Sequence, residues 1–536
     1  MSILIFLIIS YVLLSFSLSK LFPKAGVESI KGWIPGVNFI EWAKIIGKSP
    51  KSVLWLLFPI VNIFTFCSMA IDLVQSFGKY AFKHSAAAVL YAPAIFYKIA
   101  VTPEDKYIGP AVTRHQEIQN AIDDARKSND NYKLKQLEAQ NPFKRSTARE
   151  WIESLVFAVF AAAFIRMFLI EAYMIPTPSM EGSLNVGDFL FVSKAHYGIR
   201  TPMTVIQVPL LHNVIPIINK ESYLKKPSLP YFRFPEIEKV EAGKPFVFNW
   251  PVGDSVYITS SRSYFLKQVE GFDVNQISDR ELAAKIRNND FVVRPIDKKD
   301  HYIKRCVGGP GDSLRIVDGQ LYLNGVAAKN PKHLQFKYLV TIPSGVQLNM
   351  KKLDDWGIDE GDVGYEQPPQ NSMILFLDAE QVKKLQSLDP NVEIKRIPNL
   401  ASPRSIFPFS DSLNKNWTID DYGPIWIPKM GATIDINTTV LPFYRRIIDV
   451  YENNDLEVKG DDIFINGQKA TSYTFKQDYF WAMGDNRHNS EDSRSWGYVP
   501  MDHVVGKPLF IFFSTREGNI RKGINWDRLF TSANKD

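Results

Sequence analysis

The sequence predicts a mainly β domain attached to N-terminal transmembrane helices. Two observations support this fold class. Long, nearly uncharged apolar runs occur only in the first 175 residues, whereas short β-branched and aromatic runs between turns fill the remainder. With 536 residues the chain has room for several domains, at roughly 100 to 200 residues each. We therefore expect a membrane-attached protein with a large polar domain.

The first apolar run, residues 2–18, is uncharged and is followed by Lys20 and Lys24. A secretory signal peptide would carry its charge before the apolar run and small residues after it. Residues 1–20 are therefore predicted to be a retained transmembrane helix. Lysines outnumber acidic residues in residues 21–51, which indicates a cytoplasmic loop.

Two further apolar runs within residues 52–101 predict a hydrophobic hairpin, and Pro93 interrupts the second run. Their lengths fit either two spans or a hairpin at the membrane interface. Both possibilities return the chain to the cytoplasm. Residues 102–150 are strongly charged with helical spacing, which predicts a cytoplasmic helical loop.

Residues 151–175 are predicted to form the last transmembrane helix. A helix of this length measures about 37 Å, enough to cross a bilayer. The basic residues Lys144, Arg145 and Arg149 precede it and mark its cytoplasmic end. We therefore expect everything after residue 176 to lie outside the cytoplasmic membrane.

The polar domain is predicted to be mainly β because its apolar runs are short and bounded by turn residues. Asn324-Gly325 and Asn466-Gly467 are typical of tight hairpin turns. The candidate strands cover residues 188–194, 245–250, 301–307, 321–326, 462–468, 479–485 and 508–514.

Composition argues against several classes of partner. The net charge of +6 does not predict nucleic-acid binding, because no basic patch is interleaved with aromatic residues. Cys67 lies in a membrane candidate and Cys306 in the polar domain, so no disulfide is predicted. No Cys/His cluster or calcium-loop spacing occurs, so we expect no metal and no cofactor.

Ser179 is the first candidate for chemistry. It lies in "IPTPSM", where two prolines end the apolar run. A serine hydroxyl needs a base before it becomes nucleophilic at neutral pH. His196, His301 and His488 have no acidic partner in a triad-like setting, so surface or loop positions are expected for them. A helix-exit serine without chemistry is the competing interpretation.

A buried lysine is the alternative base. An unperturbed lysine has a pKa near 10.4, and burial among apolar groups lowers it. Lys304 meets this requirement because it lies in the apolar run "YIKRCVGGPGD". An exposed lysine on an edge strand is the competing interpretation. By strand alternation Cys306 shares a face with Lys304, where it would either line the site or simply pack.

Residues 483–500, "MGDNRHNSEDSRSWGYVP", hold acids, arginines, asparagines and serines at high density. A solvated loop needs no such density, whereas a hydrogen-bonded network that orients an active site does. The segment is therefore predicted to support the site.

These three segments occur in the order of the conserved boxes of one family. "IRMFLIEAYMIPTPSM" with "GDFLFVSKAHYGI", then "YIKRCVGGPGD", then "GDNRHNSEDSRSWGYVP" resemble bacterial signal peptidase I. The resemblance implies a signal peptidase I-like β-fold with an inserted cap domain. It also implies a membrane-bound serine endopeptidase that removes signal peptides from exported preproteins, cutting after small residues.

The resemblance assigns roles to individual residues. Ser179 would be the nucleophile and Lys304 the general base of a Ser-Lys dyad. The backbone N–H of Ser179 and the hydroxyl of Thr177 would form the oxyanion hole. Ser490 would orient the Lys304 amine, and Asp492 with Arg494 would form a supporting ion pair. The pocket for the small substrate side chains would be formed by Tyr173, Ile175, Met180, Leu184, Tyr302 and Ile303.

The chain departs from the family pattern in two places. Pro178 replaces a small residue and offers no backbone donor, and Gly182 replaces a proline. The chain is also long for the family, with extra residues at 255–300 and at 326–465. The second stretch is predicted to be an inserted cap domain, which divides the catalytic domain into residues 176–325 and 466–536. Within it, Ser372-Met373 repeats the Ser-Met pair without a preceding apolar span, so it is not a candidate nucleophile.

Two other classes remain as alternatives. A penicillin-binding protein or β-lactamase would place lysine three residues after its serine, where this chain has Gly182. A non-enzymatic membrane scaffold could keep the fold without the chemistry, but such a site would be expected to have lost some of its polar residues. The expected partners are therefore signal-peptide-bearing preproteins and the lipid bilayer, with the catalytic domain on the periplasmic side of the inner membrane.

Overall fold

The computed structural model describes residues 2–57, 61–215, 218, 220–259, 263–265, 274, 277–343, 350–358, 360–364, 369, 371–400 and 405–534. It divides into two compact units, residues 1–156 and 157–536. Each is described separately below.

The first unit is helical and has its own apolar core. Its centre is the fully buried Trp42, whose indole N–H donates to the carbonyl of Met69 at 3.1 Å. Lys24 is bound at the end of the fourth helix, because its ammonium donates to the carbonyls of Ile99 at 2.9 Å and Asp105 at 3.0 Å. The helices are α1 (Ser2–Leu21), α2 (Val37–Ile46), α3 (Val61–Gln75), α4 (Phe82–Val101), α5 (Ala111–Lys127), α6 (Asn131–Gln140) and the first part of α7 (Thr147–Phe168), whose residues from 157 on belong to the second unit.

Within the described residues, three helical segments are long and apolar enough to cross a membrane: Ile8–Ala25, Phe82–Val101 and Thr147–Phe168. Helix α3 is apolar but shorter. Helix α4 is not continuous, because Tyr91 has non-helical dihedral angles shortly before Pro93. Helix α7 exposes its apolar side chains on all sides, as a lipid-facing helix does.

The helix predicted for residues 151–175 ends earlier than expected. Helix α7 ends at Phe168, and residues 170–174 form a strand that pairs antiparallel with residues 189–193. The helix ends there because residues 170–174 pair with residues 189–193 and because Glu171 forms ion pairs. The buried Glu171 lies 2.7 Å from Arg166 and 2.7 Å from Lys194, a pairing unsuited to the bilayer interior. At 22 residues α7 still measures about 33 Å.

The second unit is mainly β, which confirms the predicted fold class. Its largest sheet has the strand order β1-β2-β24-β5-β9-β22-β23, and β25 pairs with β24. The strands of this sheet are β1 (Ile170–Met174), β2 (Asp188–Ser193), β5 (Pro245–Asn249), β9 (His301–Gly308), β22 (Tyr479–Met483), β23 (Val499–Pro500), β24 (Val504–Ser514) and β25 (Thr531–Ser532).

The other strands form smaller sheets. Both predicted Asn-Gly turns join hairpins, and Asn324 and Asn466 adopt φ values of 52° and 53°. These strands are β3 (Val214–Ile215), β4 (Lys220–Glu221), β6 (Ser255–Ile258), β7 (Ser263–Phe265), β8 (Val292–Val293), β10 (Ser313–Val317), β11 (Gln320–Leu323), β12 (Val326–Ala327), β13 (Phe336–Thr341), β14 (Ser372–Leu377), β15 (Glu393–Arg396), β16 (Tyr422–Trp426), β17 (Thr433–Asp435), β18 (Leu456–Lys459), β19 (Asp462–Ile465), β20 (Gln468–Lys469) and β21 (Ser472–Thr474).

Short helices complete the second unit. They are α8 (Arg280–Arg287), α9 (Met350–Asp354), α10 (Ala379–Gln386), α11 (Leu441–Arg446) and α12 (Ser493–Trp496). Within the extra residues 255–300, the described parts form the small sheet β7-β6-β8, against which α8 packs through the buried Leu282.

The predicted cap domain, residues 326–465, is not one body. Its first part forms the sheet β14-β13-β15 with a separate apolar core around Val340 and Leu375. Its second part is built into the catalytic domain, because β16 pairs with β10 and Tyr422 and Ile448 share a core with Trp481. Composition could not reveal this division, since strand pairing across about a hundred residues depends on tertiary contacts.

Candidate active site

Ser179 lies in a short 3-10 turn, Pro178–Met180, that follows β1. Thr177 is the N-cap residue of this turn and is exposed, whereas Ser179 is 8% exposed. Pro178 occupies the first position of the turn, where its fixed φ is favourable and its missing N–H removes no intrahelical bond. Pro178 thus helps to fix the backbone that carries Ser179.

Lys304 lies on β9, between β5 and β22, and is 4% exposed. Its cross-strand neighbour on β5 is the fully buried Phe246. The ammonium donates to Ser179 Oγ at 2.6 Å and to the carbonyl of Ile303 at 3.1 Å. Burial lowers the pKa of Lys304 to about 8, although the carboxylates of Asp492, Glu491 and Asp485 raise it in part.

Residues 484–498, here called the support loop, connect β22 to β23. Asp492 and Arg494 form a buried ion pair in this loop, with Arg494 Nη2 2.7 Å and Nε 2.9 Å from the carboxylate. Burial alone would raise the pKa of Asp492, but Arg494 and the N–H of Gly484 outweigh it and hold the pKa below its usual range. The predicted ion pair is therefore present and charged.

Ser490 is close to the site but does not orient Lys304 in this structure. Its hydroxyl oxygen is buried and contributes to the low pKa of Asp492, yet it makes no regular hydrogen bond within the described part of the chain. Gly484 explains its tight packing. A Cβ at Gly484 would lie 2.3 Å from Ser490 Oγ and 2.5 Å from the carbonyl of Ser179, so only glycine fits there.

A second buried ion pair supports the site and was missed from the sequence. Arg305 Nη2 lies 2.6 Å from Asp485, and Arg305 Nη1 donates to the carbonyl of Gly243 at 2.6 Å. Arg305 follows Lys304, and the next residue after Asp485, Asn486, donates its N–H to the carbonyl of Ser179 at 3.2 Å. The available signal was that Arg305 lies in the Lys304 motif and Asp485 in the polar segment 483–500.

Five of the six predicted pocket residues belong to one apolar cluster. Ile175, Met180 and Leu184 are buried in it, and Tyr173 and Ile303 are partly buried against it. Tyr302 lies outside this cluster, on the Lys304 side of β9, where its ring stacks on Trp250 at 5.3 Å between centroids and lies 5.4 Å from the Lys304 ammonium. Strand alternation separates Tyr302 from Ile303. Tyr173 and Ile303 are thus the least buried of the five residues in this cluster.

The structure explains the departure at Gly182. This residue has a φ of +82°, and a Cβ there would lie 2.6 Å from Cβ of His333. Proline requires a φ near −65°, so it would not fit this turn. The glycine accommodates the chain segment that precedes β13.

The histidines were expected at surface or loop positions; His488 does lie in a loop, whereas His301 begins β9. The side chain of His488 is nevertheless 0% exposed and contacts Asp420 at 2.7 Å. His301 packs its ring against Tyr173 at 4.8 Å between centroids. The partner of His488 comes from a distant part of the chain, which the local sequence could not indicate. Cys306 is fully buried, and burial raises the pKa of its thiol to about 12, so it packs.

The chain matches a family model described as signal peptidase, peptidase S26, over residues 148–363 and 431–513, more than half of its length. Residues 30–110 match a family of unknown function, DUF5684. Signal peptidase I of Haemophilus influenzae is 24% identical over 392 residues, covering 72% of this chain and 76% of the relative.

Two further relatives agree. Signal peptidase I of Buchnera aphidicola subsp. Baizongia pistaciae is 22% identical over 408 residues, covering 73% of this chain and 89% of the relative. Signal peptidase I of Helicobacter pylori is 24% identical over 229 residues, covering 37% and 77%. The resemblance seen in the motifs is thus confirmed, and the chain belongs to the signal peptidase family, peptidase S26.

Proposed function

We propose that this protein removes signal peptides from exported preproteins by a Ser-Lys dyad mechanism. One observation carries the proposal: a buried lysine amine on β9 lies 2.6 Å from a serine hydroxyl in the turn that follows β1. A lysine with a pKa of about 8 is neutral often enough near neutral pH to accept a proton. The names of the relatives supply the substrate class.

In the proposed reaction neutral Lys304 takes the proton of Ser179, and Oγ attacks the carbonyl carbon of the scissile bond. The backbone N–H of Ser179 and the hydroxyl of Thr177 would stabilise the oxyanion. Lys304 then gives its proton to the leaving amine as the C–N bond breaks. Lys304 next activates a water molecule, which releases the acyl group from Ser179.

The substrate preference is proposed to be for small side chains. Tyr173 and Ile303 are partly buried over a cluster whose other predicted members, Ile175, Met180 and Leu184, are at most 3% exposed. A pocket above these buried side chains would be shallow and would accept only a small substrate side chain. Replacing Ile303 with Ala should therefore allow larger residues before the cut, measured with a peptide series.

Contacts in the helical unit support the proposed location. The lysine-rich segment after α1 is proposed to be cytoplasmic. Lys24 binds the carbonyl of Ile99, and Tyr107 donates to the carbonyl of Ile45 at 2.7 Å, so residues around 102 lie beside residues around 24 and 45. Both contacts are compatible with an even number of membrane crossings between residues 45 and 102. Helix α7 would then cross outward and carry the catalytic domain to the periplasmic side of the inner membrane.

Two experiments test these proposals. Purified Ser179→Ala and Lys304→Ala proteins should lose cleavage of a preprotein in lipid vesicles while keeping the thermal stability of a folded protein. Retained cleavage in either variant would refute the dyad. For the location, a cysteine introduced at the exposed turn residue Asp461 of the catalytic domain should react with a membrane-impermeant thiol reagent in cells with a permeabilised outer layer. Labelling only after lysis would refute the periplasmic placement.

A further inference from the structure

The support loop is attached to a segment that the family model leaves unmatched, residues 364–430. The attachment is His488, whose side chain is fully buried. Its Nδ1 accepts the backbone N–H of Lys337 at 3.2 Å, so its Nε2 carries the proton and donates to Asp420 at 2.7 Å. Both ring nitrogens are therefore used, and the imidazole is fixed in orientation and tautomer.

Asp420 is itself held by the unmatched segment. Arg396 Nη2 lies 2.9 Å from its Oδ1, and the N–H of Asn399 donates to its Oδ2 at 3.2 Å. The guanidinium of Arg396 lies over the ring of Phe336 at 3.9 Å, and Phe336 packs edge-on against His488. The acceptor of the His488 proton is thus fixed by a charge and by packing.

A second attachment of the support loop lies nearby, at Gln335 in the part of the chain that the family model matches. The N–H of Gln335 donates to the carbonyl of Asp485 at 3.0 Å, and the N–H of Arg487 donates to the carbonyl of Gln335 at 3.0 Å. These bonds hold the part of the support loop that reaches the site. Asp485 pairs with Arg305 beside Lys304, and Asn486 donates to the carbonyl of Ser179.

The support loop needs such attachments because its first half is polar. Apolar anchors, Trp496 and Tyr498, come only at its far end. Buried polar side chains in the first half, such as Arg487, gain no hydrophobic packing energy that would fix them.

We propose that His488 is a positioning residue, through which Asp420 of the unmatched segment holds the support loop against Ser179 and Lys304. This rests on the proposed function, and it assigns a catalytic purpose to a part of the chain that the family model does not contain. The role is indirect, because His488 contacts neither reacting side chain.

The test uses the full-length protein with four variants. His488→Ala and Asp420→Ala should each lower kcat about ten- to hundredfold, the range expected for losing a hydrogen bond to a charged group, with KM changed less than about twofold. His488→Gln places an amide N–H where Nε2 lies and should restore most of kcat. Asp279→Ala removes a carboxylate that caps α8 and should leave kcat unchanged.

Amide hydrogen exchange provides a measurement that does not depend on activity. Exchange within residues 484–495 should be faster in His488→Ala and Asp420→Ala, and near the wild-type rate in His488→Gln. Unchanged exchange in both alanine variants would overturn the positioning role even if no substrate is cleaved. The positioning role would also be overturned if the alanine variants lose kcat together with thermal stability and His488→Gln does not restore kcat.

The two proposals fail in different ways. If the wild-type protein cleaves no preprotein, the proposed function fails, while the exchange rates still decide whether His488 holds the loop. If the wild-type protein cleaves and His488→Ala keeps its kcat, the positioning role fails and the dyad stands.

Discussion

The pH dependence of cleavage depends on Lys304, and Glu491 offers a way to shift it. Neutral Lys304 is the active form, and its pKa is about 8, so kcat/KM should rise with pH through about 8 and then level off. The Glu491 carboxylate stabilises the protonated amine and raises this pKa. Glu491→Gln should therefore move the acidic limb to lower pH.

The size of the shift follows from the exposure of Glu491. Two unit charges in contact interact by about 1 kcal/mol in water, which corresponds to about 0.7 pH unit. Salt screening and separation reduce this, so we expect a shift of roughly 0.2 to 0.5 unit. Because Glu491 is exposed, its replacement should not disturb the fold.

The assay is kcat/KM for one preprotein from about pH 6 to about pH 10 at constant ionic strength. Glu457→Gln is the control, since it removes an exposed carboxylate on β18. A limb that stays in place or moves to higher pH in Glu491→Gln would refute the reasoning. A wild-type limb near pH 10.4 would show that Lys304 is not buried as described.

Three further predictions concern the same site. Lys304→Met should abolish cleavage yet raise the free energy of unfolding by up to about 3 kcal/mol near pH 7. A lysine whose pKa falls on folding destabilises the protein below its folded pKa of about 8, and this destabilisation disappears as the pH rises toward 10.4. A lower melting temperature in Lys304→Met would contradict this. Gly182→Ala should destabilise by about 1 to 3 kcal/mol because of its positive φ and the contact with His333, and unchanged thermal unfolding would refute it. Thr177→Val should lower kcat on the order of 10²-fold while Thr177→Ser retains activity, and an active valine variant would remove Thr177 from the oxyanion hole.

The sequence was most informative where chemistry is local. Lys304 stood out because a charged residue inside an apolar run requires burial or an edge position, and the structure buries it against Ser179. The strands around it were predictable from short apolar runs between turns. The end of α7 was not, because residues 170–174 are apolar enough for a helix and become a strand only by pairing with β2.

Contacts between residues far apart in the chain could not be predicted from the sequence. Nothing local to His488 indicates that Asp420 buries and binds it. Likewise, the composition of residues 326–465 predicted an insert throughout. In its second part, however, β16 pairs with β10 and joins the catalytic core. Arg305 and Asp485 lay within recognised motifs, yet the sequence could not show that they pair with each other.

The central claim is that Ser179 is the nucleophile. Ser179→Ala and Ser372→Ala remove the same hydroxyl from the two Ser-Met pairs of the chain, so they form a matched comparison. Both proteins should be purified in the same lipid vesicles and given the same preprotein. We expect that Ser179→Ala releases no mature product while Ser372→Ala cleaves at the wild-type rate. Mature product released by Ser179→Ala would contradict it.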